Sequence, residues 1–258
     1  MKILVTGGTG MVGSHVVKEL LKRDVEITVL TRKSKQEANL PDGVHHLRGD
    51  LKQPKTVSTM CKNMDAMFLL NVVSPTETHE GLMGVNAARM GSVKKMVYMS
   101  VHRVNEAPHL PHFGSKLPIE TAIKASGIPY TILRPNNFYQ NDYWYKDTMM
   151  NYGVYPQPIG NAGLSRVDVR DIAEAAAITL TTEKYQQNTF NLVGPEVQTG
   201  EGTARIWSKV LNKEIVYGGD NLNAWEKQSL EYMPDWMVFD FKLMYKFFQE
   251  EGLKATNE

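Results

Sequence analysis

Gly7, Gly10 and Gly13 stand three residues apart in Thr6-Gly7-Gly8-Thr9-Gly10-Met11-Val12-Gly13, directly after the apolar run Ile3–Val5. Each glycine has a mechanical reason at that spacing. The first permits a tight turn out of a strand, the second lets backbone approach a pyrophosphate, and the third lets the following helix pack closely on the sheet. The helix N-terminus adds unbonded N–H groups and a partial positive charge facing the phosphates. The chemistry is therefore dinucleotide binding, with Thr9, Met11 and Val12 of the loop in the candidate set. No Gly-Lys-Ser/Thr follows, which disfavours a P-loop NTPase.

The next chemical signal is a missing carboxylate. An NAD site usually carries Asp or Glu at the end of the second strand, about 20 residues past the loop, where it grips the ribose 2′-hydroxyl. Here the chain reads Leu30-Thr31-Arg32-Lys33-Ser34-Lys35. Arg32 is a planar anion clamp, and Thr31 or Ser34 supplies a hydroxyl, so the expected ligand carries a 2′-phosphate and is NADP(H). Asp50-Leu51 is expected at the adenine edge, with Asp50 accepting from the exocyclic amine. Asn71, after the fourth strand, completes this set.

These residues need a scaffold that brings strand ends together. Val12, Val16, Val17, Leu20 and Leu21 recur at helical spacing after the glycines. Short apolar runs at Glu26–Leu30, Val44–Leu47, Ala66–Leu70, Met96–Met99 and Tyr130–Leu133 read as further strands, with helices over Glu77–Met90 and Phe113–Ala125. Alternating strands and helices mean parallel pairing with right-handed crossovers. The expected fold is α/β, a doubly wound Rossmann sheet over residues 1–135. A smaller α+β lobe over 136–258 is expected to pack intimately against it, with the pocket between. In that lobe, a helix opening at Asp171 with Glu174 as capping partner is expected, with a strand at Phe190–Val193, a helix over Thr199–Leu211 and a strand at Ile215–Tyr217.

Composition narrows the class. The 258 residues are 42% hydrophobic, with 29 Lys plus Arg against 28 Asp plus Glu. That balance gives no nucleic-acid surface, and no stretch approaches the roughly 20 apolar residues of a membrane span. The single Cys61 rules out an internal disulfide and reads as a small buried thiol. With no secretory signal in view, a soluble cytoplasmic protein is expected, and no metal site: His102, His109 and His112 match no zinc spacing.

The loop, the Arg32 step, Gly49-Asp50-Leu51, Tyr98-Met99-Ser100, Lys116 and Leu133-Arg134-Pro135-Asn136-Asn137-Phe138 together resemble the NmrA-like branch of the atypical short-chain dehydrogenases/reductases. Asp168–Ala173 and Asn191–Pro195 extend the likeness over nearly the whole chain. The resemblance implies an NADP(H)-binding oxidoreductase reducing a small quinone-, azo- or dye-like acceptor. A non-catalytic NADP(H) sensor with a protein partner is the alternative, and a nucleotide-sugar epimerase is disfavoured. Typical members of the wider superfamily use Ser, Tyr and Lys, the last two as Y-x-x-x-K. This chain reads His112-Phe113-Gly114-Ser115-Lys116, so Lys116 matches as the ribose ligand while His112 stands in the tyrosine position. His112 as proton donor, Lys116 and Ser100 are the catalytic candidates. Pro135, Asn136, Asn137 and Phe138 are expected at the nicotinamide. Tyr139, Tyr143, Trp144 and Tyr145 are candidates for a flat slot that would hold the acceptor.

Overall fold

A computed structural model describes residues 1–255. The strands are β1 (Lys2–Thr6), β2 (Glu26–Thr31), β3 (Val44–Arg48), β4 (Ala66–Leu69), β5 (Lys95–Met99), β6 (Tyr130–Pro135), β7 (Val154–Tyr155), β8 (Asn188–Leu192) and β9 (Val216–Tyr217). The helices of the first half are α1 (Met11–Leu20), α2 (Lys35–Ala38), α3 (Pro54–Val57), α4 (Glu77–Met90), α5 (Pro111–Gly114) and α6 (Leu117–Ala125). Those of the second half are α7 (Lys146–Tyr152), α8 (Val169–Thr181), α9 (Gly200–Leu211), α10 (Leu222–Ser229) and α11 (Asp235–Glu250).

Seven strands form one sheet in the order β3-β2-β1-β4-β5-β6-β8, and every neighbouring pair is parallel. This is the doubly wound Rossmann arrangement. β4 and β5 are buried along their whole length, because helices cover both faces. The edge strands β3 and β8 keep exposed residues. The order reverses at β1, which lies between β2 and β4, and a crevice opens at such a reversal beyond the carboxyl ends of the strands.

The chain divides into two compact units. The first comprises residues 1–108, 113–135 and 169–192, and the second comprises 109–112, 136–168 and 193–255 of the described chain. A single cut at residue 135 thus misses a return. α8 and β8 belong to the first unit because β8 pairs with β6 from Thr131↔Asn188 to Pro135↔Leu192, adding a strand to the sheet. The second unit contains a two-stranded parallel sheet, β7 with β9, together with α7, α9, α10 and α11.

Two local expectations change. The helix expected over Phe113–Ala125 is interrupted at Ser115–Lys116, and α6 restarts with Pro118 in its first turn. Proline has no N–H to bond four residues back, and its ring collides with that carbonyl, so the break falls before it. α8 begins at Val169, two residues early, which puts Asp171 inside the first turn and not at the cap.

Candidate dinucleotide site

At the end of β1, Thr6 Oγ1 donates to Leu70 O (2.9 Å) and accepts from Leu70 N (2.8 Å). These bonds carry the β1–β4 pairing past the strand ends and fix the floor of the crevice. Gly7 then turns with φ +66°, a conformation that side chains resist. Gly10 N donates to Gly7 O at 2.9 Å and closes the turn. A Cβ on Gly13 would stand 2.1 Å from Gly7 O, so only glycine lets α1 start this close to the loop. Gly10 caps α1 without a side-chain bond, and no acidic residue lies in the first turn. The first-turn amides, at Met11, Val12 and Gly13, lack intrahelical carbonyls and suit an anion.

Gly7, Thr9, Thr31, Arg32, Asp50, Leu51 and Asn71 line one cleft in the first unit, whereas Gly10, Met11, Val12 and Gly13 stand outside its lining. Those in the lining arrive from the carboxyl ends of β1 to β4. Lys33 joins Arg32, so two cations and no carboxylate follow β2 in the lining. Thr31 is buried and its Oγ1 accepts from Lys33 N at 3.2 Å, shaping the basic turn. Ser34 does something else. It caps α2 in a capping box with Glu37 and stands outside the cleft lining. Asp50 Oδ1 accepts from Lys52 N at 2.9 Å, which leaves its second oxygen for another donor.

Asn71 is the most telling of these residues. Its side chain is buried in the lining, yet neither its amide nitrogen nor its amide oxygen has a partner among the described residues. Buried amides are ordinarily bonded, and leaving one unsatisfied costs about 1–3 kcal/mol. An amide short of both a donor and an acceptor in a phosphate crevice fits a bound dinucleotide, whose ribose hydroxyls and phosphates offer both. Sequence reasoning did not single out Leu70, Val72 or Glu80, which also line the cleft. Their only sequence signal is their place after β4 and in the following helix.

The catalytic candidates are more entangled. Lys116 is buried, and its ammonium pairs with the buried carboxylate of Glu77 on α4, which also accepts from Ser115 Oγ at 3.2 Å. Nothing in the local sequence marked Glu77, because its partner lies 39 residues away. Beside this pair, Glu120 accepts two bonds from Arg134, at 2.9 and 2.6 Å. Burial alone would raise the Glu120 carboxyl, but the bonds and charge of Arg134 outweigh it and hold it below the usual range. Ser100 is buried just after β5, and its hydroxyl has no hydrogen-bond partner among the described residues. Burial, then the charges of Glu77 and Glu120, push the Tyr98 phenol well above its ordinary value. His112 sits in α5, and its ring meets Phe241 edge-on at 6.1 Å. The helix break separates His112 from Lys116, so the two do not share a helical face.

Pro135 ends β6, where its carbonyl accepts from His102 N at 2.9 Å. Asn136, Asn137 and Phe138 are engaged inside the second unit. Asn136 Nδ2 donates to Leu253 O at 2.6 Å, and its Oδ1 accepts from Asn137 N at 2.7 Å. Arg166 donates to Asn137 Oδ1 at 2.9 Å and to Phe138 O at 2.7 Å. Cys61 is buried, and burial pushes its thiol up to about 12. Among the described residues no three His, Cys, Asp or Glu gather as a metal site, and no helix is long and apolar enough to cross a membrane.

A doubly wound sheet with a glycine turn, a basic notch and an unsatisfied amide at its switch point defines a Rossmann dinucleotide-binding protein. The NmrA-like family matches residues 1–256, and the chain belongs to that family. It is 28% identical over 218 residues to an NAD(P)H azoreductase of Xenophilus azovorans, covering 83% of this chain and 76% of that one. The Citrobacter sp. triphenylmethane reductase complexed with NADP(H) superposes with a TM-score of 0.88 at 23% identity, over 99% of this chain and 92% of that one. An NADPH-dependent quinone oxidoreductase from Escherichia coli, complexed with NADPH, also gives 0.88, at 21% identity over 99% and 92%.

Proposed function

We propose that the protein is an NADPH-dependent reductase of small conjugated acceptors, quinone-, azo- or dye-like. The observation that carries the reading is the cleft after β1 and β2, where Gly7 and Thr9 of the loop gather with Arg32 and Lys33 and no carboxylate directly follows β2. The relatives named above, with their azo, dye and quinone substrates and NADP(H) complexes, support it.

The bound dinucleotide would supply a hydride. This chain's residues bind and orient. The amides of Met11, Val12 and Gly13 hold the pyrophosphate, Arg32 with Thr31 and Lys33 holds the 2′-phosphate, and Asp50 accepts from the adenine amine. Asn71 meets the ribose-phosphate with both ends of its amide. Lys116 contacts the nicotinamide ribose. An acceptor that takes its proton from water needs no side-chain acid, so His112 is not required by the scheme. The cytoplasm is the compartment that suits an NADPH enzyme with one buried thiol.

A panel of quinones, azo dyes and triphenylmethane dyes, followed by loss of NADPH absorbance, tests the reading. Turnover with at least one acceptor is expected. Tight NADPH binding with no turnover on any acceptor would instead support the sensor alternative, whose mark is unequal partner binding with oxidised and reduced cofactor. His112→Ala is expected to keep turnover within a few fold. A loss of about 10²–10⁴-fold, the usual weight of general acid catalysis, would assign it the proton.

A further inference from the structure

Glu77, the first residue of α4, is 2% exposed, and Lys116, in the break between α5 and α6, is 5% exposed. One carboxylate serves both residues of that break. Its Oε1 accepts from the Lys116 ammonium and its Oε2 from Ser115 Oγ at 3.2 Å. The next residue of α4, Thr78, donates from Oγ1 to Ser115 O at 2.8 Å. The start of α4 thus grips the backbone and both side chains of a segment 37 to 39 residues away. We propose that Glu77 is the positioning residue for Lys116: it fixes the ammonium and cancels its charge, so that the pair offers N–H donors to the neutral diol of the nicotinamide ribose. This role rests on the reading of Lys116 as the ribose ligand.

Stability alone does not account for the pair. Two charges taken out of water lose about as much hydration as their attraction returns, so a buried pair adds placement more than stability. Placement is what Lys116 lacks by itself, since a flexible four-carbon stem carries its ammonium. Glu77 is well placed to supply it, because the first turn of a helix favours a negative charge. An ammonium has three N–H donors, and Glu77 is the one acceptor it meets among the described residues, so donors remain for a ligand.

Glu77 and Lys116 stand just outside the lining of the dinucleotide cleft. Glu80, one turn further along α4 and on the same face as Glu77, is part of it. Charge decides which part of a dinucleotide such a pair can meet. Arg32 and Lys33 are exposed in the cleft and suit a phosphate. A lysine neutralised by a carboxylate has no net charge to offer an anion, and hydroxyls are the groups it can bind without one.

Calorimetric titration of the full chain with two probes tests the role. One is NADP⁺; the other is adenosine 2′,5′-bisphosphate, which keeps the adenosine phosphates but has no nicotinamide ribose. Glu77→Gln keeps the size of the side chain but not its charge. It is expected to weaken NADP⁺ about tenfold while the half-ligand holds within about twofold. Lys116→Met should show the same split, with NADP⁺ about 10- to 100-fold weaker. With Lys116 gone, Glu77 has nothing to place. The double variant Lys116→Met/Glu77→Leu, which leaves no buried charge unpaired, should therefore bind NADP⁺ no more weakly than Lys116→Met alone. That comparison stands even where Glu77→Gln fails to fold. Equal weakening of both probes by Glu77→Gln overturns the role, as does unchanged NADP⁺ affinity in it, or a further loss in the double variant. Unchanged NADP⁺ affinity in Lys116→Met removes the ribose reading and this role together. A loss there with none in Glu77→Gln removes the role of Glu77 alone.

Discussion

Two buried polar sites, the Arg166–Asp142 network of the second unit and Asn71 of the first, are completed differently. In the second unit Arg166 is fully buried and donates to both oxygens of Asp142, at 2.7 and 3.1 Å. Asp142 also accepts from Tyr155 OH and from Trp207 Nε1, each at 2.9 Å. The remaining guanidinium donors go to Asn137, Phe138 and the Tyr155 hydroxyl. Burial pushes the Tyr155 phenol well above its ordinary value, so it stays protonated and keeps donating. In the first unit, by contrast, Asn71 is buried with no described residue bonded to either end of its amide. A closed network specifies a fold, whereas an open one waits for a partner from outside.

That contrast can be broken most forcefully at the closed network. Asp142→Ala strands a buried guanidinium, and a loss of about 3–5 kcal/mol is expected in urea denaturation of the second unit. A loss below about 1 kcal/mol would mean that Arg166 is less dependent on its partner than its burial implies. At the open site, Arg32→Ala removes a charge-assisted contact of about 1.5–3 kcal/mol, so NADPH affinity should fall about 10- to 100-fold by calorimetry while NADH affinity holds. Parallel losses for both cofactors would detach Arg32 from the 2′-phosphate. Gly13→Ala forces a methyl against Gly7 O, at an expected stability cost of about 1–3 kcal/mol, and it should weaken both cofactors alike.

The smallest effect is the most discriminating. Asn71→Leu replaces an unsatisfied amide by an apolar group of similar size, so the melting temperature should hold or rise, while NADPH binding weakens several-fold. A drop in stability would show that the amide is bonded in solution, and the contrast between the units would disappear. Acid sharpens it from another side. The Glu120 carboxyl is held below its ordinary value, so its contribution is present above the unfolded pKa, about 4.3, and is lost as pH falls through the lower folded one. Glu120→Gln should reduce the pH dependence of stability below about pH 4.

How much of this was legible depends on how local each cause is. Gly7, Gly10 and Gly13 could be read directly, because a turn from strand to helix is settled by adjacent residues. α4 was legible over its full length, from Glu77 to Met90. α6 was misread at its start, although Pro118 was visible, because which residue before a proline yields depends on what the broken turn packs against. The Ser34 hydroxyl was a plausible phosphate donor until Glu37 claimed it.

From order and spacing alone the chain determined a parallel α/β sheet, a phosphate loop and a cationic step where NAD proteins carry a carboxylate. Those features arise within one turn or one strand, where sequence neighbours are also neighbours in space. Only the tertiary structure decided that β8 returns to the sheet beside β6, that Lys116 meets Glu77, that Asn71 is left without a partner, and that Trp144 shares a cavity with Tyr232 and Phe241. Each of those facts depends on groups far apart in the chain meeting in one desolvated place, and burial, which no short stretch of sequence reveals, sets what such a meeting is worth.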